Sequence, residues 1–150
     1  MKRFKKKFLS EDDIIYKYFQ ILNFNKPESF NFNNDGALLL KKKNKDIVVT
    51  NDTIIESVDF FKYDDPESIA QKIITCNLSD LSSMGADPYT YTLSLSLPNR
   101  TNTDWIKKFT KKLLNLQKKY NFFLIGGDIG KSNKIQISAN FFGYIRKKLI

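Results

Sequence analysis

Residues 66–97, PESIAQKIITCNLSDLSSMGADPYTYTLSLSL, read as one helix that turns at Gly85 into a strand. Pro66 at the first turn, Asp65 and Glu67 beside the positive end of the helix dipole, and a glycine at the finish set the helical limits at Pro66 and Gly85. Tyr89 to Leu97 then alternates strictly, the pattern of a strand with two distinct faces. At about 3.6 residues per turn, Ile69, Ile73, Cys76 and Met84 share a helical face, and Asp80 falls in the middle of it. A carboxylate there is desolvated and lies at the negative end of the dipole. It requires a cation, a set of donors or a proton. A loop cap or a lysine partner would meet that requirement as well as a functional cation.

On the amino-terminal side, Ser10 with Glu11, Asp12 and Asp13 starts a helix. Its apolar side is Ile14, Tyr18 and Ile21 or Leu22, and it ends near Asn23. Asn25 to Asn34 is polar and reads as a loop. Strands at Ala37 to Leu40 and Ile47 to Ile55 flank the charged turn KKKNKD. On the carboxy-terminal side come a helix from about Thr103 to Tyr120, a strand at Phe122 to Ile125 and a last strand from Lys134 to Ile145. Strands alternating with two long helices predict an α+β fold: a mixed, mainly antiparallel sheet with helices packed on one face. The 150 residues show no repeat and no linker, so one domain is expected over residues 1–150.

Lys plus Arg number 25 against 16 Asp plus Glu, a formal charge of +9. Such a balance suits nucleic acid, an anionic membrane surface or phosphorylated ligands, and charge alone does not choose among them. The basic residues concentrate in Met1 to Lys7, Lys41 to Lys45, the helix around Lys107 to Lys119, and Arg146 to Lys148. In that helix Lys107, Lys111 and Lys118 point away from the stripe of Trp105, Phe109, Leu113, Leu116 and Tyr120, as a solvated face does. No aromatic-basic platform or motif supports nucleic acid as a partner. No stretch approaches membrane-spanning length, so no membrane is expected. With no histidine and one cysteine, Cys76, a typical zinc site and a His-dependent triad are excluded, and a reducing cytoplasm is expected. Any metal must be a hard cation on oxygen ligands.

Four acids fall at the ends of expected elements: Asp35, Asp52, Asp80 and Asp128. If the first two strands pair about a turn between Lys43 and Asn44, Leu40 faces Ile47 and Asp35 faces Asp52. That repulsion would become a chelate around a divalent cation. A one-residue slip undoes the pairing, and a polar strand end explains it equally well. Thr50, Asn51 and Thr53 add oxygen ligands suited to magnesium. In LIGGDIG, Leu124 to Gly130, a strand runs into two glycines and an acid. The amides of Gly126 and Gly127 can form an anion nest beside Asp128, or simply a tight turn.

NNDGALL, VVTNDTIIESVDF, NLSDLSSMGADP, YTLSLSLP followed by Trp105, and IGGD occur in this order. Together they resemble the amino-terminal domain of the thiamine-monophosphate kinases, in the superfamily that includes aminoimidazole ribonucleotide synthetase. The resemblance runs from about residue 10 to the end. It implies ATP- and Mg2+-dependent phosphorylation of thiamine monophosphate to thiamine diphosphate, with several magnesium ions and no covalent enzyme intermediate. By position it implies metal ligation at Asp35, Thr50, Asn51, Asp52, Asp80 and Asp128, and nucleotide contact at Gly127 and Asp128. Asp59 stands where the family has a substrate-contacting histidine. It also implies a homodimer in which amino-terminal sheets join into a barrel.

The chain departs from the pattern. Asn33 and Asn34 replace Gly-Asp, Asn51 replaces a threonine, and Ile129 and Gly130 replace a hydroxyl pair. The sequence stops at Ile150, where family members continue into a second α/β domain. Three expectations therefore stand together: a kinase or its amino-terminal half with a separate carboxy-terminal domain, another ATPase of the superfamily, and a non-catalytic dimerisation or metal-binding module.

Overall fold

The computed structural model describes residues 10–147, so the basic run at Met1 to Lys7 and Lys148 lie outside the described residues. In chain order, helix α1 (Glu11–Ile14) runs into a π-helical turn and a 3-10 turn ending at Asn23, and a second 3-10 segment covers Pro27–Phe32. Then come β1 (Lys45–Ile55), α2 (Pro66–Ser83), β2 (Asp87–Leu97), α3 (Thr103–Tyr120), β3 (Phe123–Lys131) and β4 (Gln136–Arg146). The sheet order is β1-β4-β2-β3, with β4 antiparallel to both neighbours and β2 parallel to β3. The expected α+β class, mixed sheet and one-sided helical layer are observed.

The two long helices follow from their ends. Asn102 caps α3 by accepting the Trp105 N–H at 2.9 Å. Helix α2 closes with a Schellman pair, Ala86 N–H to Leu81 O and Gly85 N–H to Ser82 O, both 2.9 Å, which requires the left-handed φ of +67° at Gly85. Ile73, Ile74 and Leu81 of α2 and Phe109 and Leu113 of α3 are fully buried between the helices and the sheet. Beneath them Tyr91 stacks on Phe141 with centroids 4.8 Å apart, and Phe122 meets Phe141 edge-on at 5.2 Å. The lysines Lys107, Lys111 and Lys118 are exposed, as a solvated face requires.

The first helix is not one regular helix. A π turn over Ile15–Phe19 and a 3-10 turn over Gln20–Asn23 replace its later turns. The wider and then tighter winding carries both Phe19 and Leu22 inward, whereas Ile21 stays exposed.

The expected hairpin of residues 37–40 with 47–55 is absent. Residues 37–40 form no strand, and β1 pairs only with β4, Asp52 lying opposite Ala139. Asp35 therefore does not face Asp52. Residues 33–42 instead cross as an irregular strap. Leu38 N–H bonds Glu28 O at 2.9 Å, the Tyr144 hydroxyl donates to Leu40 O, and Lys42 Nζ sits 4.8 and 4.3 Å from the Tyr89 and Tyr144 rings. The strand expected at Phe122 to Ile125 does not stop at the glycines. It runs through Gly126, Gly127 and Asp128 to Lys131, with a bulge at Ile125 where the register to β2 shifts.

A charged clasp ties the ends of β1 and β2 to the start of β4 at one end of the sheet. Glu56, 3% exposed, accepts from Arg100 and from the Ile135 N–H at 3.0 Å, while Arg100 also donates to Asn133 O at 3.1 Å. Arg100→Met leaves the Glu56 charge buried without its cation. The expected cost is about 2 kcal/mol, below the roughly 3–5 kcal/mol of a fully buried pair because water reaches the Arg100 side. Urea unfolding measures it, and an unchanged midpoint would remove the clasp from the account of stability.

Candidate functional site

Strand β1 alternates its side chains between the helical layer and the open face, so TNDT is split. Thr50 and Asp52 turn toward α2, between the buried Val48 and Ile54. Asn51 and Thr53 turn to the open face, where Asn51 Nδ2 donates to Asn140 Oδ1 at 2.7 Å and Thr53 bonds Ser138 at 3.0 Å. Consecutive residues of this strand therefore do not surround one cation with their side chains.

On the helical side, Thr50 Oγ1 donates to Asn77 Oδ1 at 2.9 Å. Asp52 Oδ2 is buried with no hydrogen-bond partner. Burial first, and the neighbouring Asp80 charge second, push the Asp52 carboxyl above the usual range. The half-buried Cys76 thiol is likewise pushed up, by burial and then by Asp52, with Asp80 and Asp59 adding to it. Two acids and a hydroxyl thus share one region at the junction of α2 and β1. An orphaned carboxylate oxygen beside a second carboxylate fits a hard divalent cation with oxygen ligands.

Asp80 itself corrects the sequence reading. It is exposed, as is Met84, and the stripe that α2 buries is Ile69, Ala70, Ile73, Ile74, Asn77 and Leu81. The polar residue in the middle of the apolar face is Asn77, not Asp80.

Asp35 and Asp128 stand apart from this pair. Both line a cleft of about 530 Å3 along the β3 edge, together with Gly126, Gly127, Glu11 and Asp12. Asp35 is exposed on the strap and Asp128 is exposed on β3. The glycines belong to an extended strand, so no turn-type anion nest forms there. Gly127 is needed for close approach instead: a Cβ would lie 1.9 Å from Leu93 O. Asp59 is engaged locally, its Oδ2 accepting the Ile55 N–H at 2.8 Å and its carbonyl oxygen accepting from Lys72. Among the described residues no three acidic or cysteine side chains converge to hold a metal ion.

Residues 33–145 match the family model described as AIR synthase related protein, N-terminal domain. The chain belongs to this family. Its relatives include the thiamine-monophosphate kinase of Buchnera aphidicola from Acyrthosiphon pisum, 35% identical over 93% of this chain and 43% of the relative. The corresponding kinase of Haemophilus influenzae is 36% identical over 93% of this chain and 42% of its own length. The chain thus spans less than half the length of the curated relatives it matches. Among solved structures, the thiamine-monophosphate kinase of Stenotrophomonas maltophilia superposes with a TM-score of 0.79 at 29% identity, covering 92% of this chain and 43% of that one. A structure described as AaThiL complexed with AMPPCP and TMP superposes at 0.67 with 29% identity, covering 71% and 35%.

Within this AIR synthase related domain, the sequence reading missed Asn77, Glu11 and Asp12. Asn77 was reachable, since Ile73, Asn77 and Leu81 repeat at four-residue spacing on the buried stripe. Glu11 and Asp12 reach the cleft only because the first helix folds against β3, which local pattern does not encode. No helix among the described residues is long and apolar enough to cross a membrane.

Proposed function

We propose that this chain is the amino-terminal half of an ATP- and Mg2+-dependent kinase that phosphorylates thiamine monophosphate to thiamine diphosphate in the cytoplasm. The observation that carries the reading is the Asp52 and Asp80 pair with its orphaned Asp52 oxygen, in a chain whose relatives are named thiamine-monophosphate kinases. Thr50, Asp52 and Asp80 would hold cations on the α2 side. Asp35 and Asp128 would do so at the β3 edge, where Gly127 would contact the nucleotide, and Asn51 offers its amide oxygen on the open face. Magnesium, when bound, supplies the charge that lets two phosphate polyanions approach in line. A substrate contact at Asp59 requires its carboxylate to leave the Ile55 N–H.

The two acidic sets lie on opposite edges of the sheet, three strand spacings or about 14 Å apart. A second copy or a carboxy-terminal domain would have to bring them to one substrate. Exposed Ile47 and Val49 on the open face, with Leu38, Leu39 and Leu40 exposed on the strap, support a homodimer joined through this face. Solution mass measurement tests it, and a strictly monomeric chain counts against it.

A non-catalytic module is the second reading, favoured by the dispersal of the acids within one chain. Another ATPase of the superfamily is the third, favoured by the locally engaged Asp59 in place of histidine. Magnesium-dependent ATP turnover with thiamine monophosphate, with and without a supplied carboxy-terminal domain, separates them. Turnover only with both halves is expected. Absence of nucleotide binding in either case leaves the module, and turnover with a different acceptor leaves the other ATPase.

A further inference from the structure

We infer that Asn77 is a positioning residue for the cation site: it takes the Thr50 hydroxyl proton, so that Thr50 Oγ1 turns only lone pairs toward the space shared with Asp52 and Asp80. This role rests on the cation reading of that space. A threonine hydroxyl has one proton and two acceptor lone pairs, and beside two carboxylates the proton's natural acceptor is an acid. Donation to Asp52 or Asp80 would place a hydrogen where a cation needs an oxygen. Asn77 removes the conflict by accepting that proton at 2.9 Å.

The direction of this bond is fixed by the other end of the amide. Asn77 Nδ2 donates to the Ile73 carbonyl at 3.0 Å, and turning the amide over would set its oxygen against that carbonyl. Asn77 is 0% exposed, so water cannot substitute for either partner. A leucine would fill this place in the α2 stripe without the cost of burying an amide. The bond to Ile73 holds Asn77 within its own helix; the bond that leaves the helix goes to Thr50, and that is where the amide acts.

The test is a double-mutant cycle on the full chain, with Mn2+ binding read by calorimetry and by the electron paramagnetic signal of free Mn2+. Asn77→Leu is expected to weaken Mn2+ binding by about 10-fold or more, the usual reach of a residue that orients a ligand. In a Thr50→Val background the same change is expected to add nothing, because the group it orients is gone. Thr50→Ser, which keeps the hydroxyl, is expected to bind as the native chain does.

Unchanged Mn2+ affinity in Asn77→Leu with a lowered Tm overturns the role and leaves Asn77 a packing residue. An equal loss in the Thr50→Val background overturns it too. A native chain that takes up no Mn2+, or an Asp80→Asn chain that binds as well as native, overturns the cation site and this role with it. Should Asn77→Leu not fold, Mg2+ titration of the 15N-labelled native chain decides the matter. The Asn77 side-chain amide pair is expected to shift with the same midpoint as the Asp80 backbone amide, and a stationary pair overturns the inference.

Discussion

Gly127→Ala is expected to cost about 3 kcal/mol or more, lowering Tm by roughly 10 °C, or to prevent folding. The added carbon would lie 1.9 Å from Leu93 O and 2.9 Å from its carbonyl carbon. Both are backbone atoms of β2, so no rotamer change relieves the overlap. Gly127 pairs with Leu93 in the parallel β2–β3 ladder, and β2 lies beside β4 at the centre of the sheet. Relief would need β3 to move off the sheet, which would expose Leu93 and disturb the cleft that Asp128 lines. Gly126, one residue earlier, is the control: a Cβ there meets nothing within 4 Å. Gly126→Ala is expected to change stability by about 0.5 kcal/mol or less. Urea unfolding of the two variants decides it, and equal midpoints would rule out the close approach.

That contrast marks what local sequence carries. GGD suggests a turn, either an anion nest or simply a tight turn, because two adjacent glycines look alike whether they bend the chain or admit a neighbour. The requirement at Gly127 comes from Leu93, a residue in another strand. Ala37 to Leu40 misled for a related reason. An apolar run beside a charged turn suits a hairpin, but the partner that fills the β1 edge is β4, and the leucines serve a strap held by Tyr144 and Glu28. The long helices were legible because their signals are local: Pro66 and Gly85 at the ends of one, and the stripe from Trp105 to Tyr120 along the other. The acid pair was legible in part. NLSDLSSMGADP carries Asp80 to the junction of α2 and β1, within the electrostatic reach of Asp52, but the buried face of the helix lies about one position out of phase with the expected one. The helix buries Ala70, Asn77 and Leu81 beside Ile69 and Ile73, and leaves Cys76 half-buried and Met84 exposed. The polar residue with structural consequence was therefore three positions before the one first singled out.

Asp52→Asn is expected to move stability and cation binding in opposite directions. In the native chain Asp52 carries an unpartnered buried oxygen and faces the charge of Asp80. Its folded-state pKa lies above its unfolded value, near about 3.9 for an aspartate. Between the two values the folded chain holds a proton that the unfolded chain has released, so stability falls as pH rises through that window. Below it both states are protonated and the penalty vanishes; above the folded pKa the penalty is full and constant. An amide at this position cannot ionise, so it carries neither the burial cost of a charge nor the repulsion from Asp80. In cation-free buffer the variant is therefore expected to match the native chain in acid and to unfold at a higher Tm at neutral pH. Magnesium reverses the order. A ligand at about 100 times its Kd stabilises the folded state by about 2.7 kcal/mol, which the native chain gains and the variant forfeits. Thermal unfolding across pH, with and without Mg2+, reads both effects. If the variant gains as much from Mg2+ as the native chain, Asp52 does not hold the cation; if it unfolds at a lower Tm in cation-free neutral buffer, Asp52 bears no strain in the cation's absence.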